Sequence, residues 1–366
     1  MTARRSFIGG VAAAAAGITT AALARPAIAQ DAPEIRWRCT SSFPPVLDTI
    51  YGGAETFAEA VAAMTGGRFQ IEVRPPGEIV PALQAVDAVA AGTADLCHTA
   101  SYYYSGKDPT FALATAVPFG LNSRMQNAWL YQGGANEAFN EFFAKHNLFG
   151  LPAGNTGCQM GGWFHKEING IDDLKGLTFR IGGFAGTILE RVGVVPVQIA
   201  GAEIYSALEK GTIDAAEWVG PYDDEKLGFV RIAPFYYYPG FWEAGTTLHL
   251  FFNLDKWNAL PEDYRAVCYN AAAMTTLWMQ ARYDALNPGA LRTLAAQGMK
   301  LRKFPHEVLV ACLKAADLVY TETAAGNADF KKLYDHMASF RKEQYLWWQV
   351  AEYSFNNFMV VEQGAF

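Results

Sequence analysis

The chain has 366 residues, of which 51% are hydrophobic, 14% are aromatic and only 18% are charged. This composition excludes an intrinsically disordered chain, a collagen-like repeat and a coiled coil. The formal net charge of −7, without a long run of Lys or Arg, argues against a nucleic acid as partner. At roughly 150 residues per domain the length suggests about two domains, each able to bury a core.

Residues 1–29 have the pattern of an export signal. Arg4 and Arg5 precede a weakly apolar, alanine-rich segment, and residues 27–29 (AIA) form the small-x-small pattern that a signal peptidase accepts. The arginine pair favours a twin-arginine signal peptide, which a receptor reads and which is not an anchor. The alternative is a poorly cleaved N-terminal membrane helix. The signal predicts a mature chain in the bacterial periplasm.

After the leader, strands and helices alternate in two blocks. Apolar periodicity and the Gly and Pro positions predict the first block as strand 34–40, helix 47–64, strand 69–73, helix 80–91 and strand 95–100. The second block is predicted as strand 177–181, helix 187–192, strand 194–199, helix 204–210 and strand 213–219. This order indicates parallel βαβ units. Residues 91–95 (AGTAD) and 210–214 (KGTID) share a signature, which favours two similar α/β domains side by side.

The C-terminal third is predicted to be mostly helical. Its elements are predicted as strand 246–253, helix 261–283, strand 301–304, helix 305–324 and helix 329–362. The last helix carries too many aromatic residues for one apolar stripe. Either it breaks near residues 354–357 and folds back over its own domain, or it is exchanged with a second copy in a symmetric dimer.

The common catalytic signatures are missing from the sequence. It contains no GxSxG, no HExxH, no P-loop and no GxGxxG after a strand. The six histidines have no metal-ligand spacing, and the five cysteines form no CxxC pair and no disulfide framework. A binding protein is therefore the preferred hypothesis. A periplasmic enzyme with Glu217 or Glu243 as general base is the competing one.

Polar groups cluster where predicted strands end, which is where open α/β sheets bind ligands. Residues 101–105 (SYYYS) follow the strand at 95–100, and Glu217 follows the strand at 213–216. Arg180 ends an apolar strand, where it requires a fixed anion unless it forms a surface ion pair. Glu217 is either a ligand-binding residue or a solvated charge at the end of a strand. Glu243 is a lone acid among aromatic residues, and burying it without a charged partner would cost free energy.

Two longer segments add to this pattern. Residues 155–162 (NTGCQMGG) join the two blocks, and their glycines and uncharged polar side chains suit a hinge that also touches ligand. The pair Gly182 and Gly183, directly after Arg180, lets a ligand approach the backbone. Which of Tyr102, Tyr103, Tyr104, Phe184 and Trp242 line a pocket stays open at this point.

The second block contains motifs that resemble those of the periplasmic solute receptors of tripartite ATP-independent periplasmic (TRAP) transporters, the DctP family. The resemblance extends over essentially the whole mature chain. The resemblance rests on residues 174–180 (LKGLTFR), 193–196 (GVVP) and 203–214 (EIYSALEKGTID). Within the family the chain looks most similar to the 2-oxo-acid-binding receptors, through residues 155–164 (NTGCQMGGWF) and 217–226 (EWVGPYDDEK).

Two departures from the family pattern bear on the ligand. Many members have a Pro-containing loop after the arginine, whereas this chain has residues 180–186 (RIGGFAG). Many continue Asp-Gly-x-Glu-Asn, whereas this chain has residues 214–218 (DAAEW). Because of the second change, the way in which sugar-acid and C4-dicarboxylate members bind their ligands is not expected to apply to this chain. The change is similar to the pattern of members that bind a monocarboxylate with the help of a metal ion.

The resemblance also implies a site. Arg180 would pair with the substrate carboxylate, and the further substrate contacts predicted are Asn155, Gln159, Tyr103 and Trp218. A cation that also touches the substrate would be held by Gln159, Glu217, the Trp218 carbonyl and Glu243. Oxygen ligands suit a hard ion and not zinc or copper. The ion implied is Na+, with Ca2+, which other metal-using members imply, as the alternative.

The sequence thus predicts an α/β protein with the two-lobed periplasmic binding protein fold, a hinge between the lobes and a long C-terminal helix. Lobe 1 is predicted to comprise residues 30–153 and about 246–300, and lobe 2 residues 154–245 and part of 301–366. The implied function is a receptor that delivers pyruvate or a longer 2-oxo acid to the TRAP membrane permease. A receptor for a 2-hydroxy acid such as lactate is the alternative. The predicted partners are the permease subunits and, through the helix at about 329–362, a second copy of the chain.

Overall fold

A computed structural model describes residues 33–363, and the predicted signal peptide lies outside these residues. The described strands are β1 (Ile35–Ser41), β2 (Phe69–Arg74), β3 (Leu96–Thr99), β4 (Leu148–Asn155), β5 (Gly162–Phe164), β6 (Thr178–Arg180), β7 (Val195–Val197), β8 (Ala215–Ala216), β9 (Phe235–Tyr238), β10 (Thr247–Asn253) and β11 (Lys300–Lys303). They form two sheets, in the orders β2-β1-β3-β10-β4 and β11-β9-β5-β8-β6-β7.

Helices connect and cover the strands. They are α1 (Gly52–Met64), α2 (Ala85–Ala90), α3 (Thr110–Thr115), α4 (Ser123–Tyr131), α5 (Ala135–Ala144), α6 (Phe184–Glu190), α7 (Gly201–Glu209), α8 (Pro221–Leu227), α9 (Leu254–Ala259), α10 (Glu262–Ala296), α11 (His306–Gly326), α12 (Ala328–Trp348) and α13 (Ser354–Glu362). Within residues 33–363, none of them combines the length and apolar character that crossing a bilayer requires.

The two sheets repeat one arrangement, as the two similar sequence blocks predict. In the first sheet β1 pairs in parallel with β2 and β3, and β10 runs antiparallel between β3 and β4. In the second sheet β6 pairs in parallel with β7 and β8, and β5 runs antiparallel between β8 and β9. The parallel strands are linked by helices, because a parallel pair needs a crossover connection.

Two connections carry the chain from one sheet to the other and lead into the antiparallel strands β5 and β10. The segment 156–161 joins β4 of the first sheet to β5 of the second, and the segment 239–246 joins β9 of the second sheet to β10 of the first. These two segments, called the crossover segments below, place the hinge predicted at residues 155–162 between the sheets. The exact lobe boundaries remain a prediction.

Aromatic packing fills the first sheet's outer layer. Phe142 and Phe143 of α5 contact Phe111 of α3 with ring centroids 4.9 and 5.8 Å apart, and Phe143 meets Phe251 of β10 at 4.8 Å. All four side chains are almost completely buried. Burial of a side chain of this size stabilises the fold by about 1.5–3 kcal/mol. This packing therefore holds α3 and α5 against β10 of the first sheet.

Several predicted elements have different bounds in the structure, and two of them show the physical reason clearly. The strand predicted at 213–219 is reduced to β8, because its partner β5 offers only three residues and the chain then turns into α8. The helix predicted at 261–283 continues to Ala296. Pro288 removes one backbone donor, but Ala290 and Leu294 stay buried, and this packing holds the helix together.

The C-terminal helix is continuous and does not fold back. A π-helical turn, Gln349–Tyr353, joins α12 to α13, and Ser354 has helical backbone angles. The first half of α12 buries Phe330, Leu333 and Met337, whereas no side chain of α13 is buried. The predicted break near residues 354–357 is therefore wrong for this chain. The exposed apolar side chains of this stretch are Tyr345, Leu346, Trp347, Val350, Tyr353, Phe355, Phe358, Val360 and Val361.

Candidate functional site

The two crossover segments lie side by side and carry two of the predicted ligands. Backbone N–H groups of Thr156 and Gln159 donate to the carbonyl oxygens of Thr246 and Glu243, both at 3.0 Å. The segments approach so closely that a Cβ on Gly240 would lie 2.3 Å from the Gln159 carbonyl oxygen. Gln159 and Glu243, far apart in sequence, are thereby held at one point between the sheets.

Arg180 and Glu217 meet because their strands are neighbours. Arg180 of β6 pairs in register with Ala216, so that Glu217 follows at the carboxyl end of the adjacent strand. Nη1 of Arg180 donates to Oε2 of Glu217 at 2.8 Å and to the Glu217 carbonyl oxygen, and Nε donates to the Ile199 carbonyl oxygen at 3.3 Å. Arg180 is 1% exposed and Glu217 0%. Burial excludes both the surface ion pair and the solvated charge.

Trp218 completes this corner of the site. Its indole ring lies under the Arg180 guanidinium, with the guanidinium carbon 5.0 Å from the ring centroid. The interaction free energy between a cation and an aromatic ring is more favourable in a buried site than at the surface. The stacking also limits the directions in which the guanidinium can point.

Glu243 is held by hydroxyl groups. Its Oε2 accepts from the Thr246 hydroxyl at 2.8 Å and from the Tyr102 hydroxyl at 3.4 Å. Thr246 in turn accepts from Nε2 of Gln159 at 3.1 Å, so that Gln159 and Glu243 belong to one hydrogen-bonded chain. The orientation of the Gln159 amide follows from this chain, since Nε2 also donates to the Thr156 hydroxyl at 3.1 Å. The side-chain oxygen Oε1 of Gln159 therefore has no hydrogen-bond partner within this chain of contacts.

Burial makes the two carboxyl groups hard to ionise. Loss of water raises the pKa of Glu243 to about 7. Burial, and then the neighbouring charge of Glu243, raises the pKa of Glu217 well above its usual range, although Arg180 opposes the shift. Two carboxylates in one dry site need a positive charge besides Arg180 if both are to be ionised.

Five buried polar atoms of the site lack a hydrogen-bond partner among residues 33–363: Oε1 of Gln159, Oε1 of Glu217, Oε1 of Glu243, Nη2 of Arg180 and Nε1 of Trp218. The first four belong to side chains predicted to bind the ion or the substrate. Such atoms are rare in protein interiors and call for a specific explanation. Three oxygens that can face a hard cation and one nitrogen that can face an anion fit a cation together with a carboxylate. The residues present therefore fit the predicted ion.

A small pocket of about 10 Å³, room for about one water molecule, opens beside these groups. Gln159, Thr156 and Thr246 are polar residues of its lining. The apolar residues of the lining include Phe43, Ile50, Ala100 and Leu248, and Tyr102, Tyr103 and Trp218 also line the pocket.

The other aromatic candidates lie elsewhere. The Tyr104 hydroxyl accepts from the Val86 backbone N–H at 3.1 Å, away from the pocket. Trp242 packs against Phe179 and Phe304, and Phe184 stacks on Tyr320. Of the five aromatic residues that the sequence left open, Tyr102 and Tyr103 are the ones that border the pocket.

Asn155 is buried, but its polar atoms serve the chain itself. Its Oδ1 accepts from the Gly157 N–H at 2.8 Å, and its Nδ2 donates to Asn127 at 3.3 Å and to Thr247 at 3.4 Å. These contacts shape the start of the first crossover segment. A direct contact of Asn155 with substrate stays a prediction.

Thr156, Thr246 and Gln198 were missed by sequence reasoning. Nε2 of Gln198 donates to the Tyr103 carbonyl oxygen at 3.1 Å, and its Oε1 accepts from the Gly183 N–H at 3.2 Å. The available signal was weak. Thr246 lies three residues after Glu243 and Thr156 three before Gln159, but threonines are common in loops.

The remaining titratable residues offer no second metal centre. Within residues 33–363 no group of three or more His, Cys, Asp or Glu side chains is arranged to hold a metal ion. Burial lowers the pKa of His98 to about 4 and that of His249 to about 3, so both are neutral at pH 7. All five cysteines are free.

The family described as bacterial extracellular solute-binding protein, family 7 (DctP), matches residues 40–327. The chain belongs to this family. A relative from Nostoc sp., named a monocarboxylate 2-oxoacid-binding periplasmic protein, is 50% identical over 326 residues, which are 89% of each chain. The family consists of solute-binding receptors and not of enzymes, so the competing enzyme hypothesis is wrong.

Two solved structures of TRAP solute-binding proteins are similar over almost their whole length. The protein of Bordetella bronchiseptica, a mixed-occupancy dimer with copurified calcium and picolinate, is 45% identical with a TM-score of 0.89, covering 90% of this receptor and 98% of that chain. The protein of Pseudoalteromonas atlantica, with bound sodium and pyruvate, is 36% identical with a TM-score of 0.86, covering 88% and 99%. The receptor thus has the two-lobed fold of TRAP solute-binding proteins.

Proposed function

We propose that the receptor binds a small 2-oxo monocarboxylate together with a cation in the periplasm and delivers it to the TRAP membrane permease. The observation that carries the proposal is the set of four buried, unpartnered atoms on Gln159, Arg180, Glu217 and Glu243. A ligand with one anionic group and a cation satisfies all four at once. Export by the predicted signal at residues 1–29 belongs to the same proposal.

Arg180 holds the substrate carboxylate in this proposal. Its Nη2 is buried and unpartnered, while Nη1 and Nε are fixed by Glu217 and Ile199. A guanidinium fixed on one side presents the other to an anion without further loss of side-chain entropy. The carboxylate is therefore recognised by a preorganised donor.

Gln159, Glu217, Glu243 and the Trp218 carbonyl would hold the cation. A 2-oxo acid offers a carboxylate oxygen and the adjacent keto oxygen, which chelate a hard ion in a small ring. We propose Na+, with Ca2+ as the second candidate, and similar receptors have been solved with either ion. Two glutamates, one substrate carboxylate and Arg180 leave two negative charges, which Ca2+ neutralises and Na+ halves.

The apolar residues of the pocket lining favour a substrate with a single carboxylate. Phe43, Ile50, Ala100 and Leu248 face the pocket and offer no donor to a second anionic group. Burial of an unpaired carboxylate against such residues is costly. A 2-hydroxy acid such as lactate is the second candidate, since its hydroxyl oxygen can replace the keto oxygen as a ligand of the ion.

Calorimetry with a substrate panel tests the function. We expect pyruvate and longer monocarboxylic 2-oxo acids to bind with one ligand per chain and to be recovered unchanged, and 2-oxoglutarate, a dicarboxylate, to bind at least tenfold more weakly. Titrations are made with NaCl or CaCl2 present. Turnover of a ligand, or equal affinity for the dicarboxylate, contradicts the proposal.

We also propose that the C-terminal helix forms a homodimer. The ion pair of Arg124 with Glu352 holds the helix up to its π-helical turn, and beyond it Phe355 and Phe358 are 62% and 61% exposed. Large contiguous apolar surfaces of this kind mark interaction sites. A second copy is the partner proposed, because an exchanged terminal helix is a low-cost route to a dimer.

Charge on the exposed part of this helix is expected to dissociate the dimer. In light scattering at micromolar concentration, the wild type should have twice the mass of one mature chain, and the double variant Phe355→Glu/Phe358→Glu should have the mass of one. Both side chains are exposed, so folding is expected to be unaffected. The control is Leu318→Glu on α11, which is equally exposed at 61%. A monomeric wild type contradicts the dimer.

A further inference from the structure

Tyr102 is one of the residues through which the loop after β3 contacts the loop after β6 of the second sheet. Its backbone N–H donates to the Thr115 hydroxyl at 3.3 Å, which anchors the residue on the side of the first sheet. Its side chain is 5% exposed and its ring meets that of Tyr103 edge-on at 5.0 Å. The anchored backbone and the buried ring give the hydroxyl group a fixed position.

The Tyr102 ring rests on the glycine pair that follows β6. A Cβ on Gly182 would lie 2.7 Å from Cε2 and 2.9 Å from the hydroxyl oxygen of Tyr102. A Cβ on Gly183 would lie 2.5 Å from Cγ of the same ring, and Gly183 has a φ of +59°. The glycine pair after Arg180 therefore admits an aromatic ring from the other sheet.

The Tyr102 hydroxyl reaches the predicted cation ligand Glu243. It donates to Oε2 at 3.4 Å, which leaves Oε1 as the unpartnered oxygen. A phenol is protonated at neutral pH, so the hydroxyl is available as a donor. Gln198 links the adjacent Tyr103 to Gly183 and strengthens the same junction.

We propose that Tyr102 is a positioning residue that couples the closing of the cleft between the sheets to cation binding. Seated on Gly182 and Gly183, it fixes the Glu243 carboxylate so that Oε1 faces the ion. When the sheets separate, the ring leaves the glycine pair and the carboxylate loses one of its two hydroxyl donors. The inference rests on the proposed function, because it needs the cation site.

Two variants separate the packing of the Tyr102 ring on the glycine pair from the hydrogen bond of its hydroxyl to Glu243. They are Tyr102→Phe and Gly182→Ala. Tyr102→Phe keeps the ring and removes the donor, so we expect closure to persist and cation affinity to fall about tenfold, as for the loss of a hydrogen bond to a charged group. Gly182→Ala adds a methyl group where the ring rests, so we expect the cleft to stay open. The double variant Gly182→Ala/Tyr102→Ala has room again and should regain closure without regaining affinity.

Cation titrations followed by tryptophan fluorescence, without substrate, measure affinity, and small-angle X-ray scattering with and without cation measures closure. The controls are Tyr104→Phe, whose hydroxyl serves the Val86 backbone, and Gly106→Ala, where a Cβ meets no atom within 4 Å. Circular dichroism checks the folding of every variant.

The outcomes separate this inference from the proposed function. A wild type without response to Na+ or Ca2+ refutes the cation site and the inference with it. A responding wild type together with a Tyr102→Phe variant of unchanged affinity overturns the inference alone. Closure of Gly182→Ala to the wild-type dimensions also overturns it, as does failure of the double variant to regain closure.

Discussion

Replacing Arg180 by lysine is expected to weaken the binding of a 2-oxo acid more than tenfold. The guanidinium is 1% exposed, donates to Glu217 at 2.8 Å and still has Nη2 free for a substrate carboxylate. A lysine ammonium is a point charge that cannot serve Glu217, the Ile199 carbonyl and an anion in this geometry. Truncating one partner of a buried charge pair costs about 2–5 kcal/mol.

Calorimetry with pyruvate at constant cation concentration measures this effect. The control is Arg191→Lys, because Arg191 lies on the surface, where its side chain is 50% exposed beside Glu322. Surface ion pairs contribute about 0–1 kcal/mol, so the control should bind like the wild type. Affinity of Arg180→Lys within a factor of three of the wild type contradicts the assignment of Arg180 to the substrate carboxylate.

Replacing Glu243 by glutamine, or removing the cation, is expected to abolish binding. Glutamine keeps the shape of the side chain and can still accept from Thr246, but it removes one of the two charges that would hold the ion. Dialysis against a chelator, with Na+ replaced by a bulky organic cation, removes the ion from the wild type. Substrate binding should then fall below detection in both cases.

The thermal stability of the ligand-free variant distinguishes loss of a ligand from loss of the fold. Burial raises the pKa of Glu243 to about 7, which means that its ionisation at neutral pH opposes folding. Glu243→Gln should therefore melt no lower than the wild type at pH 7 without cation. The control is Glu209→Gln on the surface. Persistent binding in cation-free buffer shows that the two buried acids have another role.

Local patterns predicted most of the secondary structure. Alternation at residues 34–40 and 69–73 marks β1 and β2, and Gly92 and Gly211 mark the ends of the helices before β3 and β8. These features depend on neighbours in sequence, so the printed residues are sufficient to find them. The positions of Arg180 and Glu217 at strand ends follow in the same way, because parallel strands bring their carboxyl ends to one edge.

Elements whose length depends on distant partners were predicted less well. β8 ends after two residues because β5 beside it is short, and α10 continues past Pro288 because Ala290 and Leu294 are buried. The C-terminal helix likewise stays unbroken through a π-helical turn. For β8 and α10, packing partners outside the local sequence window set the end of the element.

The sequence by itself determined the family, the parallel βαβ order and the residue types of the site, because motifs and periodicity are written in contiguous residues. Only the tertiary structure decided which side chains meet. Two crossover segments bring Gln159 to Glu243, and the ring of Tyr102 settles on Gly182. Such contacts depend on how two sheets pack across a cleft, and no local pattern encodes a distance between residues that are far apart along the chain.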